Sequence, residues 1–313
     1  MGMRILITGA GGMLGQDVRA AVRSAGHEPI ALTRSECDLA DPDATHAAVR
    51  DARPDTVINC AAWTDVDGAE AHAEAAHAVN GAGAGAVAAA AAAAGAWTIH
   101  VSTDYVFDGA KRTPYLESDP VSPLSVYGAS KLQGERAVAA AAPGAHTIVR
   151  TSGLFGAHGR CFPATMLRLA AERDELRVVE DQIGCPTFTG HLAPALVGLA
   201  SASASAAPVV AVATTTDFDS DVRPVGILHV AAAGECSWCE FAQAIVAAGP
   251  DAATTTVTPI PTTEFPTPAA RPAYSVMRSA RGAPELPSWR EGLADFLAAR
   301  GQAPAGPHSV TGR

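Results

Sequence analysis

Arg4-Ile-Leu-Ile-Thr-Gly-Ala-Gly-Gly-Met-Leu-Gly15 opens the chain with a short apolar run that breaks into four glycines. An unbroken apolar run bounded by glycine suits a parallel strand buried on both faces, and the turn after it leads into a helix predicted over residues 16–25. The glycines at 9, 12 and 15 spell G-x-x-G-x-x-G, because Leu14 stands where the G-x-G-x-x-G pattern places its last glycine. The physics of the two patterns is shared. Missing Cβ atoms let the backbone turn tightly and approach a pyrophosphate, whose charge meets the positive end of the helix. Gly9, Gly12, Met13, Leu14 and Gly15 are therefore expected to cradle a dinucleotide.

Working outward, strands are predicted at 29–32, 56–60, 97–102 and 147–151. They alternate with helices at 44–52, in two alanine-rich segments within 69–94, and at 126–140. This rhythm predicts an α/β fold with a doubly wound parallel sheet, Rossmann-like, and a smaller C-terminal α/β substrate-binding region. Beyond residue 150 the order changes to helix 162–171, strand 176–179, helix 190–201, strand 227–231 and helix 237–247. A proline-rich connection at 259–272 and an amphipathic helix at 289–299 complete it. The expected organisation is a dinucleotide-binding domain over 1–150 and a mainly substrate-binding region over 151–300, some segments of which return to the sheet. A tail over 301–313, rich in Gly, Pro and Ala, is expected to be disordered. The low-complexity stretch 201–221 reads as a surface loop insertion. Its Asp217, Asp219 and Asp221 lack the glycine and distal glutamate of a calcium-binding loop.

Composition narrows the partners. The 313 residues carry a formal charge of −10 with no basic run, which argues against nucleic acid and anionic membrane. No stretch has the length and bulk of a membrane span. The first residues run straight into a strand and leave no room for a signal peptide, so a cytoplasmic location is expected. Six scattered cysteines in a large chain predict no disulfide framework. Cys236-Ser-Trp-Cys239 has no second pair or nearby histidines, and reads as a helix start with incidental thiols rather than a metal site.

Two further segments carry chemistry. After the second strand the chain reads Ala31-Leu-Thr-Arg34-Ser, with no acid until Glu36. An acid there would bind the ribose 2′-hydroxyl of NADH, whereas arginine accommodates a 2′-phosphate, so Arg34 favours NADPH. Asp38 and Leu39 are placed at the adenine edge. Tyr127-Gly-Ala-Ser-Lys131 puts a phenol and an ammonium four residues apart on one helical face. A free tyrosine titrates near pH ~10. A neighbouring ammonium is expected to stabilise the phenolate and lower that value. Thr103, at the carboxyl end of the strand Val101-Ser-Thr, is positioned to hydrogen-bond a substrate oxygen. The predicted step is hydride transfer to a ketone carbon with Tyr127 protonating the oxygen. Lys131 also holds the nicotinamide ribose, and Ser102 counts with Tyr127 and Lys131 among the cofactor contacts.

Together these motifs resemble the extended, sugar-nucleotide branch of the short-chain dehydrogenase/reductase superfamily. Cys60-Ala-Ala-Trp-Thr-Asp-Val-Asp67, Ser102-Thr-Asp-Tyr-Val-Phe-Asp-Gly109 and Ser122-Pro-Leu-Ser-Val-Tyr-Gly128 narrow the resemblance to the dTDP-4-dehydrorhamnose reductase family. Val179-Glu-Asp-Gln-Ile-Gly-Cys-Pro-Thr187 and Pro261-Thr-Thr-Glu-Phe-Pro-Thr-Pro-Ala-Ala-Arg-Pro272 do likewise, and the likeness spans about residues 4–299. It implies reduction of the C4 ketone of dTDP-4-dehydro-L-rhamnose by NADPH or NADH, with Thr103, Tyr127 and Lys131 as the catalytic triad. It further implies that Ala61, Ala62 and Trp63 line the cofactor and that Thr103 and Asp104 meet the sugar. Arg271 would contact the nucleotide diphosphate. Some family members form homodimers around Mg2+, whose ligands are not assignable here.

Two departures bear on the substrate. Where the family usually reads Arg-Thr-Ser-Trp this chain has Arg150-Thr-Ser-Gly153, and where Asn-Phe is common it has Cys161-Phe162. Losing an aromatic wall beside a hexose removes stacking area and enlarges the pocket, so another dTDP-4-keto-6-deoxysugar is an open alternative. Two other readings are an epimerase or dehydratase that recycles its own nicotinamide, and a non-catalytic regulatory subunit like the methionine adenosyltransferase beta subunit. The complete set of Thr103, Tyr127 and Lys131 argues against the last.

Overall fold

The glycine-rich opening forms strand β1 (Arg4–Thr8) and helix α1 (Met13–Ser24) of a computed structural model that describes residues 2–202, 223–249 and 254–301. The chain continues through β2 (Glu28–Leu32), α2 (Pro42–Ala52), β3 (Thr56–Asn59), and the short helices α3 (Val66–Ala71) and α4 (Ala73–His77). A π-helical turn at Ala78–Gly83 leads into α5 (Ala84–Ala93), followed by β4 (Trp97–Thr103), α6 (Val126–Ala141) and β5 (His146–Thr151). The second half holds α7 (Phe162–Ala170), β6 (Glu175–Val179), β7 (Ile183–Gly184), α8 (Thr189–Ser201) and β8 (Gly226–His229). It ends with β9 (Ala232–Ala233), β10 (Cys236–Ser237), α9 (Trp238–Ala247), β11 (Thr256–Ile260), β12 (Leu286–Ser288) and α10 (Trp289–Ala299).

Six strands pair in the order β2-β1-β3-β4-β5-β8, every neighbour parallel. The direction of winding reverses between β1 and β3, and open α/β sheets bind ligands beyond the strand ends at such a point. Helices cover both faces. Ile5 and Ile7 of β1 pack with Val18 and Val22 of α1 and Leu192 and Leu196 of α8, whereas Leu6 packs the other way with Val49 and Val87. That is why β1 reads as an unbroken apolar run. A separate core gathers Phe155, Met166, Phe241, Trp289 and Phe296 between α7, α9 and α10.

The expected doubly wound sheet is present, with β8 returning to its edge from the second half of the chain. Two local expectations differ. The proline-rich connection at 259–272 begins inside a strand, for β11 pairs in parallel with β6 and sets Pro259 opposite Val178. A two-stranded edge tolerates the missing N–H of proline. The alanine-rich stretch 69–94 is not two helices but α3, α4, the π-helical turn and α5. The turn presents the buried Asn80 side chain. That side chain accepts from the Trp63 backbone N–H at 2.8 Å and donates to the Trp63 carbonyl at 3.1 Å and to the Ser130 hydroxyl at 2.9 Å. Residues 203–221 of the predicted insertion, with Asp217, Asp219 and Asp221, lie outside the described residues, as do residues 302–313 of the tail.

Candidate active site

A cavity of about 820 Å³ opens beyond the carboxyl ends of β1, β3, β4 and β5. Gly9, Gly12, Met13, Leu14 and Gly15 line one side, Arg34, Asp38 and Leu39 the far end, and Ala61, Ala62 and Trp63 the floor after β3. Ser102, Thr103, Asp104, Tyr127 and Lys131 line the opposite side. Every predicted site residue except Arg271 therefore faces one space.

The glycine turn is shaped for close approach. Gly9 has φ 66°, and a Cβ there would lie 2.7 Å from the Ala61 Cα; one on Gly15 would lie 2.3 Å from the Gly9 carbonyl oxygen. Gly12 caps α1 without a side-chain bond, which leaves the first helical amides turned toward the cavity for an anion. At the far end the Arg34 side chain is 80% exposed and forms a long surface ion pair of 3.7 Å with Asp38. Glu36 is turned back, accepting from the Thr33 N–H at 2.8 Å and the Thr33 hydroxyl at 2.7 Å, and these bonds hold its carboxyl below the usual range. The acid nearest the end of β2 is thus occupied elsewhere.

Tyr127 and Lys131 rise from the first turns of α6, which Ser125 caps through the Gly128 N–H. Lys131 is buried and donates to the Val101 carbonyl at 2.6 Å. Burial pulls its ammonium down to about 8, while the Glu135 carboxylate opposes that shift. Tyr127 packs edge-on against Tyr105, with ring centroids 5.9 Å apart. Its phenol is pushed up to about 12 by burial, and hydrogen bonding with Thr103 works against the rise. This corrects the expectation of a lowered phenol. The two side chains share a helical face, but the ammonium points to a carbonyl and desolvation dominates.

Asp104 is a buried carboxylate without a cation. It accepts from the hydroxyls of Thr103 at 3.0 Å, Ser152 at 2.7 Å and Ser275 at 2.6 Å, and burial still raises it above the usual range. Beneath the site, Arg150 grips Glu135 through two bonds of 2.8 and 2.7 Å, and the Ser102 hydroxyl donates to the same carboxylate at 2.6 Å. Sequence reading passed over Ser152, Ser275, Glu135, Arg150 and Asn80. Only Glu135 left a local signal, one further helical turn beyond Lys131 at the same spacing.

The chain matches the family profile described as RmlD substrate binding domain over residues 3–301. It is 44% identical over 299 residues to a dTDP-4-dehydrorhamnose reductase of Burkholderia thailandensis, covering 92% of this chain and 96% of that protein. The chain belongs to the dTDP-4-dehydrorhamnose reductase family. A crystal structure of the Bacillus anthracis member in complex with NADP superposes with a TM-score of 0.84 at 35% identity, over 95% of this chain and 99% of that one. A dTDP-4-keto-6-deoxy-D-glucose reductase of Streptomyces niveus is 39% identical over 277 residues, 88% of each chain.

Arg271 sits apart from the other predicted site residues. Its guanidinium is held by the Asp67 carboxylate through bonds of 3.0 and 2.8 Å and also donates to Thr267 and the Ala269 carbonyl. Arg271 is not itself among the cavity-lining residues, although the adjacent Pro272 and its hydrogen-bond partner Tyr105 are. Among the described residues, no group of three or more His, Cys, Asp or Glu side chains could hold a metal ion, so the implied Mg2+ gains no ligands here. All six cysteines are free thiols; burial pushes Cys60 and Cys185 up to about 12, which makes them poor nucleophiles. No helix among the described residues is long and apolar enough to cross a membrane.

The buried pair under the site yields a stability prediction. Arg150→Met strands the Glu135 charge and should cost about 3–5 kcal/mol in urea unfolding, and adding Glu135→Gln should restore most of it. A single-variant loss below about 0.5 kcal/mol would contradict this role.

Proposed function

We propose that this protein reduces the C4 ketone of dTDP-4-dehydro-L-rhamnose to the alcohol, giving dTDP-L-rhamnose, with NADPH as reductant. The observation that carries the reading is the convergence of the glycine turn, Thr103, Tyr127 and Lys131 on one cavity at the sheet's switch point. The residues fit the cofactor. Gly9 and Gly15 leave space that a Cβ would fill, the α1 amides offer an anion site, and the exposed Arg34, loosely paired with Asp38, is positioned to meet a 2′-phosphate.

NADPH, when bound, supplies the hydride for the carbonyl carbon. Tyr127 supplies the proton for the carbonyl oxygen. Reduction needs the neutral phenol, and the burial that raises it to about 12 keeps the proton in place at neutral pH. Giving up that proton leaves a phenolate, which hydrogen bonding with Thr103 is placed to stabilise. Asp104 holds the hydroxyls of Ser152 and Ser275 in fixed orientations beside the reacting oxygen's path. The complete acid set argues against a regulatory subunit.

Gly153 and the Streptomyces niveus relative support a second reading, another dTDP-4-keto-6-deoxyhexose as substrate. Assaying NADPH oxidation with both sugars, with product identification, separates the two. Turnover of dTDP-4-dehydro-L-rhamnose to dTDP-L-rhamnose is expected, and oxidation with neither sugar would refute both readings. Tyr127→Phe should bind NADPH normally yet lose about 10²–10⁴-fold in kcat; full turnover would remove Tyr127 as the acid. Arg34→Ala should weaken NADPH at least tenfold and leave NADH unchanged, as read by cofactor fluorescence titration. Equal effects on both would remove the 2′-phosphate contact.

A further inference from the structure

Gly153 lies two residues beyond Thr151, which pairs with Thr103 across β4 and β5, so it borders the reacting end of the cavity. Its φ is 53°, a left-handed conformation that disfavours any side chain. A Cβ added there would meet the Pro186 Cα at 3.2 Å and the Trp238 Cη2 at 3.7 Å. The Pro186 backbone is the tight neighbour, and the indole edge of Trp238 lies within van der Waals reach of position 153.

Trp238 is rigidly placed. It is the first residue of α9, where Ser237 and Glu240 form a reciprocal cap, and its backbone N–H donates to the Gln182 carbonyl at 3.3 Å. Strand β10, just before it, pairs with β7 in the cavity wall. The indole packs against Phe162 at 4.7 Å between centroids, and Phe162 in turn stacks on Phe241. The tryptophan itself stays half-buried and lines the cavity. Its indole N–H donates to no group among the described residues, which leaves it to water or a ligand in the cavity. A fixed aromatic surface with an unused donor, beside Gly153, matches a pyranose, which offers an apolar C–H face and hydroxyl acceptors.

We infer that Trp238 forms the aromatic wall of the sugar subsite and determines which hexose ring is accepted, replacing from α9 what position 153 does not provide. Gly153 borders that wall, within van der Waals reach of the indole edge. The inference rests on the dTDP-sugar reading above and deepens it.

The test uses the full-length protein loaded with NADP and compares affinities for dTDP and dTDP-L-rhamnose by titration calorimetry. Wild type should bind dTDP-L-rhamnose more tightly than dTDP. Trp238→Ala should lose roughly three- to tenfold of that preference, the range expected for one aromatic stack, with dTDP affinity unchanged. Retained dTDP binding shows that the variant is folded, and Trp238→Phe should keep part of the preference. An unchanged preference in Trp238→Ala, or an equal loss for both ligands, would overturn the inference. Wild type that binds neither ligand and oxidises no NADPH with either keto sugar would instead overturn the functional reading on which it rests.

Discussion

The site depends on keeping one ammonium out of water. Lys131 is 2% exposed and spends a hydrogen bond on the Val101 carbonyl, the last apolar position of β4 before Ser102 and Thr103. Desolvation disfavours its charge, and the neighbouring Glu135 carboxylate, itself gripped by Arg150 and Ser102, pulls the other way. The same dry environment raises the Tyr127 phenol, so the group that must deliver a proton holds it at neutral pH. One constraint thus sets both halves of the acid machinery.

Burial of that kind needs α6 to lie very close to its neighbours, which explains the small residues around it. A Cβ on Gly134 would sit 2.1 Å from the Asn80 carbonyl oxygen, and one on Gly85 would sit 2.9 Å from the Ala137 Cβ. Alanine and glycine let α5, the π-helical turn and α6 approach until Asn80 bonds Ser130. The turn's irregularity frees Asn80 to hold Trp63 by both backbone groups, which fixes the segment after β3 at the cavity floor. Packing by small residues and cofactor placement are therefore one arrangement.

What was legible in the sequence was whatever depended on local spacing. The apolar run into glycines, the four-residue step from Tyr127 to Lys131, and the missing acid after β2 each follow from periods of a strand or helix. Their residues line one cavity. Less legible were groups joined only by tertiary contact. Nothing near Arg271 in the chain reveals that Asp67, 204 residues earlier, takes its guanidinium. Pro259 concealed β11, because a proline argues against a strand unless the strand is an edge. The lowered phenol was expected from the distance between Tyr127 and Lys131 alone; desolvation depends on everything packed around them. Nothing near Gly153 in the chain reveals that Trp238, 85 residues further along, comes within van der Waals reach of it.

Lys131 is one of only two lysines in the chain, the other being Lys111, so its charge state is directly measurable. The decisive measurement is an NMR pH titration of the protein carrying carbon-13 at lysine Cε, with Lys111→Arg isolating the Lys131 signal. The account predicts a titration at about 8, with the ammonium present below that pH and lost above it. A midpoint near the ordinary ~10.4 in the folded protein would contradict a desolvated site.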